Sequence, residues 1–172
     1  DFPAPADAAA AVAVQARVMD LLGQAHGGWK ISMTAEGMAV PSVMYAADVY
    51  RDKRRHELAS GRAIGFEAEI AARLGRDLPP RPGQPYTRAE VEAAVGAVLV
   101  GIEIVDTRFG RAAKPSPLLA LADRINNDGF VAGPDVAGWR KLDLANLRCV
   151  IRRDGAVMHD KIGGHPQNDP LL

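Results

Sequence analysis

The sequence predicts an α+β fold, on three observations. Segments with the period of a strand and segments with the period of a helix are interspersed, without the regular βαβ alternation of a doubly wound sheet. Asp154-Gly155, set between LRCVIRR and AVMHDK, is a strong hairpin signal and makes the last third mostly β. With 172 residues and 48% hydrophobic content, the chain can bury one substantial core and is short for two, so a single domain spanning 1–172 is expected.

Taken in order, Asp7 caps a helix whose apolar residues Val12, Val14, Val18, Leu21 and Leu22 run to Gly23, a C′ residue, with one face expected on the core. In Trp29-Lys30-Ile31-Ser32-Met33 the large apolar groups alternate with Lys30 and Ser32, which predicts a strand with Lys30 facing away from the apolar side. The stretch from Thr34 to Ser60 has weak periodicity and receives no assignment. FEAEIAARL, residues 66–74, reads as helix or strand. The choice matters: in a strand Glu67 and Glu69 share a face, whereas on a helix they diverge by about 200°.

DLPPRPGQPY, with four prolines and a glycine, is a surface loop. Thr87 and Glu90 then form a capping box for a helix with Val91, Ala94, Val95 and Val98 on its inner stripe, followed by a strand in GIEIVDT, residues 101–107. Ser116-Pro117 starts another helix through Leu118, Leu119, Leu121 and Ile125, ended by Asn127-Asp128-Gly129, and Phe130-Val131-Ala132 is a short strand. Cys149, flanked by Leu147 and Ile151, is expected as a buried strand thiol; alone it forms no internal disulfide, which fits a reducing compartment.

Twenty-one basic residues balance twenty-one acidic ones, and neither sign is concentrated enough for nucleic acid or an anionic membrane surface. The run RDKRRH at 51–56 is brief and lacks interleaved aromatics, so it reads as a solvated face. No apolar run approaches the roughly 20 residues of a membrane span, and the start has no signal-peptide pattern. A cytoplasmic enzyme of small molecules is the expectation. Because Asp1 is not an initiator Met and the chain stops at Pro170-Leu171-Leu172, a longer chain shortened at both ends is expected. The glycines match neither GxGxxG nor GxxxxGK[ST], which disfavours nucleotide binding, and His26, His56, His159 and His165 are dispersed.

Chemistry concentrates in the glutamates. Glu103 interrupts an apolar strand, and an unpaired carboxylate there is costly, so a cation must compensate it. Glu67, Glu69 and Glu103 together suit a hard, oxygen-preferring divalent ion, Mg²⁺ or Mn²⁺, far better than Zn²⁺. Spacing alone favours a blander reading, because ExE is common: Glu67 and Glu69 on a solvated strand face, and Glu103 paired with an arginine such as Arg108.

In this order GWKI, FEAEIAARLGRDLP, GIEIVDTR, DGFVAG and GGHP resemble the fumarylacetoacetate hydrolase superfamily, in its 2-keto-4-pentenoate hydratase and 4-oxalocrotonate decarboxylase branch. The resemblance implies a mixed β-roll with flanking helices, a homo-oligomer, association with a pathway enzyme as an option, and an Mg²⁺ or Mn²⁺ cofactor. It further implies that Glu67, Glu69 and Glu103 bind the metal, that Lys30 lines the pocket of a small 2-oxo acid, and that Asp48 is an acid/base group. By resemblance the reaction is hydration of a 2-hydroxy-2,4-dienoate to a 4-hydroxy-2-oxo acid, with decarboxylation of 2-oxo-3-hexenedioate, or a catalytically silent partner in a complex, as alternatives. The chain departs from the family between Met33 and Gly65, at Asn126-Asn127-Asp128 in place of a small Ser/Gly run, and in lacking the final helix.

Overall fold

The computed structural model describes residues 3–34, 37–51, 65–109, 114–165 and 169–171. The described elements run α1 (Ala8–Leu21), β1 (His26–Met33), β2 (Ala39–Tyr45), β3 (Val49–Arg51), β4 (Gly65–Leu74), α2 (Arg88–Ala94), β5 (Val95–Val105), α3 (Pro117–Ala122), β6 (Asn127–Asp135), β7 (Arg148–Arg153) and β8 (Ala156–Ile162). The α+β class is confirmed. A four-stranded sheet has the order β3-β6-β5-β4, and β1-β2 and β7-β8 are two-stranded antiparallel pairs. Contacts gather into two units, residues 1–67 with 102–132 and residues 68–101 with 133–172.

In the first unit Asp7 caps α1 by accepting from the Ala10 amide at 2.8 Å, and Gly23 follows at φ +61°. The buried face is not the expected valine and leucine stripe. It carries Ala11 and Gln15, while Val14, Val18, Leu21 and Leu22 are exposed. Gln15 lies inside because its amide is satisfied there: Nε2 donates to the Leu121 carbonyl at 2.5 Å, and Oε1 accepts from the Val43 amide at 2.8 Å. β1 shows the expected alternation with its polarity reversed. Trp29 and Ile31 are 51% and 58% exposed, and the Lys30 side chain is only 11% exposed.

The unassigned stretch contains β2, a 3₁₀ turn at Ala46–Asp48, and β3, which pairs parallel with β6 through Val49↔Phe130. Of the basic run only Arg51 is described; 52–56, with His56, lie outside the described residues. α3 starts as expected, with Ser116 accepting from the Leu119 amide and Pro117 in the first turn, but it ends at Ala122. Arg124, Ile125 and Asn126 follow at φ +61°, +49° and +61°, a left-handed turn of three residues that all carry a Cβ. Such a conformation costs about 1–2 kcal/mol per residue, so the surroundings must hold it. The strand after it begins at Asn127 and passes through Gly129 without a break. Gly129 serves close approach and not a turn, since a Cβ there would stand 2.9 Å from a Tyr50 ring carbon.

In the second unit the Thr87 capping box forms, but α2 stops at Ala94. Val95 and Val98, expected on the helix, belong to β5, where β-branched residues pack well on a pleated surface. They form a core with Trp139, against which Ile70, Val136, Leu144 and Leu171 pack. Arg73 and Asp135 make a bidentate pair at 2.8 and 2.6 Å. The β7-β8 hairpin turns at Asp154 and Gly155, φ +50° and +82°, the two positive values a type I′ turn requires. Cys149 on β7 is half-buried, not buried.

Candidate metal centre

FEAEIAARL is a strand, so Glu67 and Glu69 leave β4 on one face. Each of Glu67, Glu69 and Glu103 offers a carboxylate oxygen, and these oxygens lie within 4.8 Å of one another. Glu103 is 1% exposed, Glu69 half-buried and Glu67 exposed. The Ile104 side chain beside Glu103 is equally buried, so β5 is covered on both faces at this point.

Glu103 is compensated by a side-chain cation, and it is not an arginine. Its Oε2 stands 2.7 Å from Lys30 Nζ, in an ion pair outside hydrogen-bond angles, while its Oε1 accepts from Asn127 Nδ2 at 2.8 Å. The same ammonium lies 3.8 Å from Glu67 Oε2 and 3.5 Å from the Ile125 carbonyl. This explains the reversed polarity of β1: the buried carboxylate draws Lys30 inward, and strand alternation then turns Trp29 and Ile31 outward. Arg108 is engaged elsewhere, with Asp123 at 2.5 Å, Asp128 at 3.3 Å and the Asn127 carbonyl at 2.8 Å.

Asp48 ends the 3₁₀ turn after β2 and ion-pairs with Arg124, Oδ2 to Nη1 at 3.4 Å. The Arg124 guanidinium also lies over the Tyr45 ring, 3.9 Å from its centroid. Tyr50 has its pKa raised, first by burial and then by the negative charges of Asp48 and Asp128. His26 packs on Trp29 with ring centroids 4.7 Å apart, and no histidine joins the carboxylate group among the described residues.

Asn127, Arg124 and the Ile125 carbonyl were not readable as site groups. Their presence follows from the left-handed turn, which no period or propensity encodes; the only trace in the sequence is the Asn126-Asn127-Asp128 departure from a small-residue run. The donor set fits a hard divalent ion, being all carboxylate oxygen. Moreover, Glu103 Oε2 and Asn127 Oδ1 are the buried side-chain polar atoms without a hydrogen-bond partner among the described residues.

No family model and no curated protein matches this sequence. Solved structures do. The chain is similar to 4-oxalocrotonate decarboxylase from Pseudomonas putida G7 complexed with magnesium and adipate, with a TM-score of 0.67 and 20% identity over 88% of this chain and 60% of that one. The same enzyme complexed with calcium and acetate gives a TM-score of 0.65 at 19% identity, over the same shares. The chain thus spans 60% of the length of these neighbours, and it shares their fold.

Proposed function

We propose that this chain is a metal-dependent enzyme of small 2-oxo acids, a hydratase that adds water to a 2-hydroxy-2,4-dienoate to give a 4-hydroxy-2-oxo acid. One observation carries the reading: a glutamate 1% exposed in an apolar strand, its oxygen within 4.8 Å of two glutamates of another strand. Glu67, Glu69 and Glu103 would hold Mg²⁺ or Mn²⁺, as the neighbours' magnesium and calcium support. The bound ion would supply a Lewis acid for the carboxylate and 2-oxygen of the substrate.

The chain's own groups supply the rest. Lys30 Nζ, held between Glu103, Glu67 and the Ile125 carbonyl, is a fixed positive charge that favours an enolate-like charge on a substrate oxygen and can donate a proton to it. Asn127, donating to Glu103 Oε1, orients that carboxylate from behind. Asp48, beside Arg124, is the proposed second acid/base group. The same reading carries with it a mixed β-roll, a single catalytic domain, a homo-oligomer and a cytoplasmic setting.

Decarboxylation of 2-oxo-3-hexenedioate is the second reading, favoured by the activity named for both neighbours. Turnover with Mg²⁺ separates the two. Freshly generated 2-hydroxypenta-2,4-dienoate should lose its dienol absorbance and gain the mass of water. Release of CO₂ from 2-oxo-3-hexenedioate alone would replace the hydratase with the decarboxylase. Silence on both, with and without Mg²⁺, would refute an active enzyme.

A further inference from the structure

The left-handed turn at Arg124, Ile125 and Asn126 is strained backbone, and such strain persists only where surrounding contacts over-determine it. The chain just past β5 supplies those contacts. The Asp106 amide donates to the Asn126 carbonyl at 2.9 Å, and Arg108 grips the turn from both sides. On the near side Arg108 Nε donates to Asp123 Oδ1 at 2.5 Å, Nη2 to the Asp123 carbonyl at 2.8 Å, and the backbone amide to Asp123 Oδ2 at 3.3 Å. On the far side Nη2 donates to the Asn127 carbonyl at 2.8 Å and Nη1 to Asp128 Oδ1 at 3.3 Å. A planar guanidinium with its donors in a fixed fork can span a turn in this way; a compact ammonium cannot.

What the turn carries gives this clamp its meaning. The Ile125 carbonyl stands 3.5 Å from Lys30 Nζ, and Asn127 Nδ2 donates to Glu103 Oε1 at 2.8 Å. Asn127 is fully buried, and its Oδ1 finds no hydrogen-bond partner among the described residues. A buried acceptor left unsatisfied costs free energy, so this side chain is not placed for its own sake. The backbone holds it against Glu103. Glu103, Asp106 and Arg108 lie on one short stretch of sequence, so the segment that presents the buried carboxylate also fixes the turn that steadies it.

We infer that Arg108 is a positioning residue of the carboxylate centre: by clamping the left-handed turn it fixes Asn127 against Glu103, and so sets the affinity of the centre for a divalent ion. The inference rests on the proposed metal site and holds for hydration and decarboxylation alike. Arg108 acts in series with Asn127, through the turn. Groups that orient a metal ligand from behind are typically worth about 10–100-fold in metal affinity.

The test pairs calorimetric titration of the full chain with Mg²⁺ and proton exchange followed by NMR in chelator. Arg108→Met should lower Mg²⁺ affinity about tenfold or more. Asn127→Ala should do the same, and the double variant should lose no more than either alone, because the two residues act in series. In metal-free Arg108→Met the side-chain amide protons of Asn127 should exchange about tenfold faster, while the buried Val43 amide, bonded to Gln15, keeps its rate. A merely structural role would speed both by one factor. Should Arg108→Met fail to fold, Arg108→Lys, which keeps the charge and loses the fork, should show the same pattern at smaller amplitude. Wild-type Mg²⁺ affinity in a folded variant, additive losses in the double variant, or equal acceleration at Asn127 and Val43 overturns the inference and leaves the proposed metal site standing. If wild type binds no Mg²⁺, both fall.

Discussion

Lys30 answers two demands at once. It neutralises a carboxylate that is 1% exposed, and it leaves its own hydration to do so, with 11% of its side chain exposed. Removing one partner of such a buried pair typically costs about 3–5 kcal/mol, because the other charge is left uncompensated. Lys30→Met should therefore lower stability by about that amount in chelator, measured by urea unfolding, and saturating Mg²⁺ should return much of the loss by supplying the missing positive charge. A loss that Mg²⁺ does not reduce would separate Lys30 from the proposed metal site. Glu69→Ala should abolish Mg²⁺ binding by calorimetry; unchanged affinity would remove Glu69 from the site. At this scale Glu103 is legible in the sequence, because a carboxylate inside an apolar strand demands a cation; Glu67 and Glu69 as its companions, and Lys30 as a site group, come from the motif resemblance. The sequence was misleading for the face of Lys30, since alternation fixes which residues go together and leaves open which side is inward.

Among the elements, the strongest local signals were those with several side chains agreeing. In the Thr87 cap the Glu90 carboxylate accepts from the Thr87 amide and hydroxyl at 2.8 and 2.9 Å and from Arg81 at 2.8 Å. Thr87→Ala should cost about 1 kcal/mol of stability, read from the urea midpoint; an unchanged midpoint would mean that α2 does not need its cap. Asp154-Gly155 was equally readable because the turn type dictates the residues. Boundaries failed where local and tertiary preferences compete. The valines after Ala94 fit a helical stripe, yet a sheet position buries them better. After Pro117 the apolar spacing of a helix continues through Ile125, whereas the chain turns left-handed after Asp123.

For the molecule as a whole, acid should be the weak side. Glu90 has its pKa lowered to about 2, chiefly by its hydrogen bond to Arg81 and then by Thr87. Asp160 and Asp169 are lowered by Arg148 and Arg88. Unfolded carboxyls titrate near about 4, so the folded state binds fewer protons in this range. The stability these groups add is complete above the unfolded values and is lost as pH falls towards 2. The Tm should drop between pH 4.5 and 2, and Glu90→Gln should make the fall shallower; an identical acid slope in the variant would remove Glu90 from the account. The α+β class was legible from the mixture of periods. The gathering of Lys30, Glu103 and Asn127 was not, because they come from three separate stretches joined by sheet register and by a strained turn.

The reversed face of β1 has an optical consequence. The two indoles of this chain sit in opposite surroundings, Trp29 open to solvent at 51% and Trp139 enclosed at 7%. Iodide should quench the first and spare the second. Trp29 is one peptide bond from Lys30, so its emission reports on whatever settles against that strand, a ligand or a second copy of the chain, while Trp139 glows steadily as an internal reference.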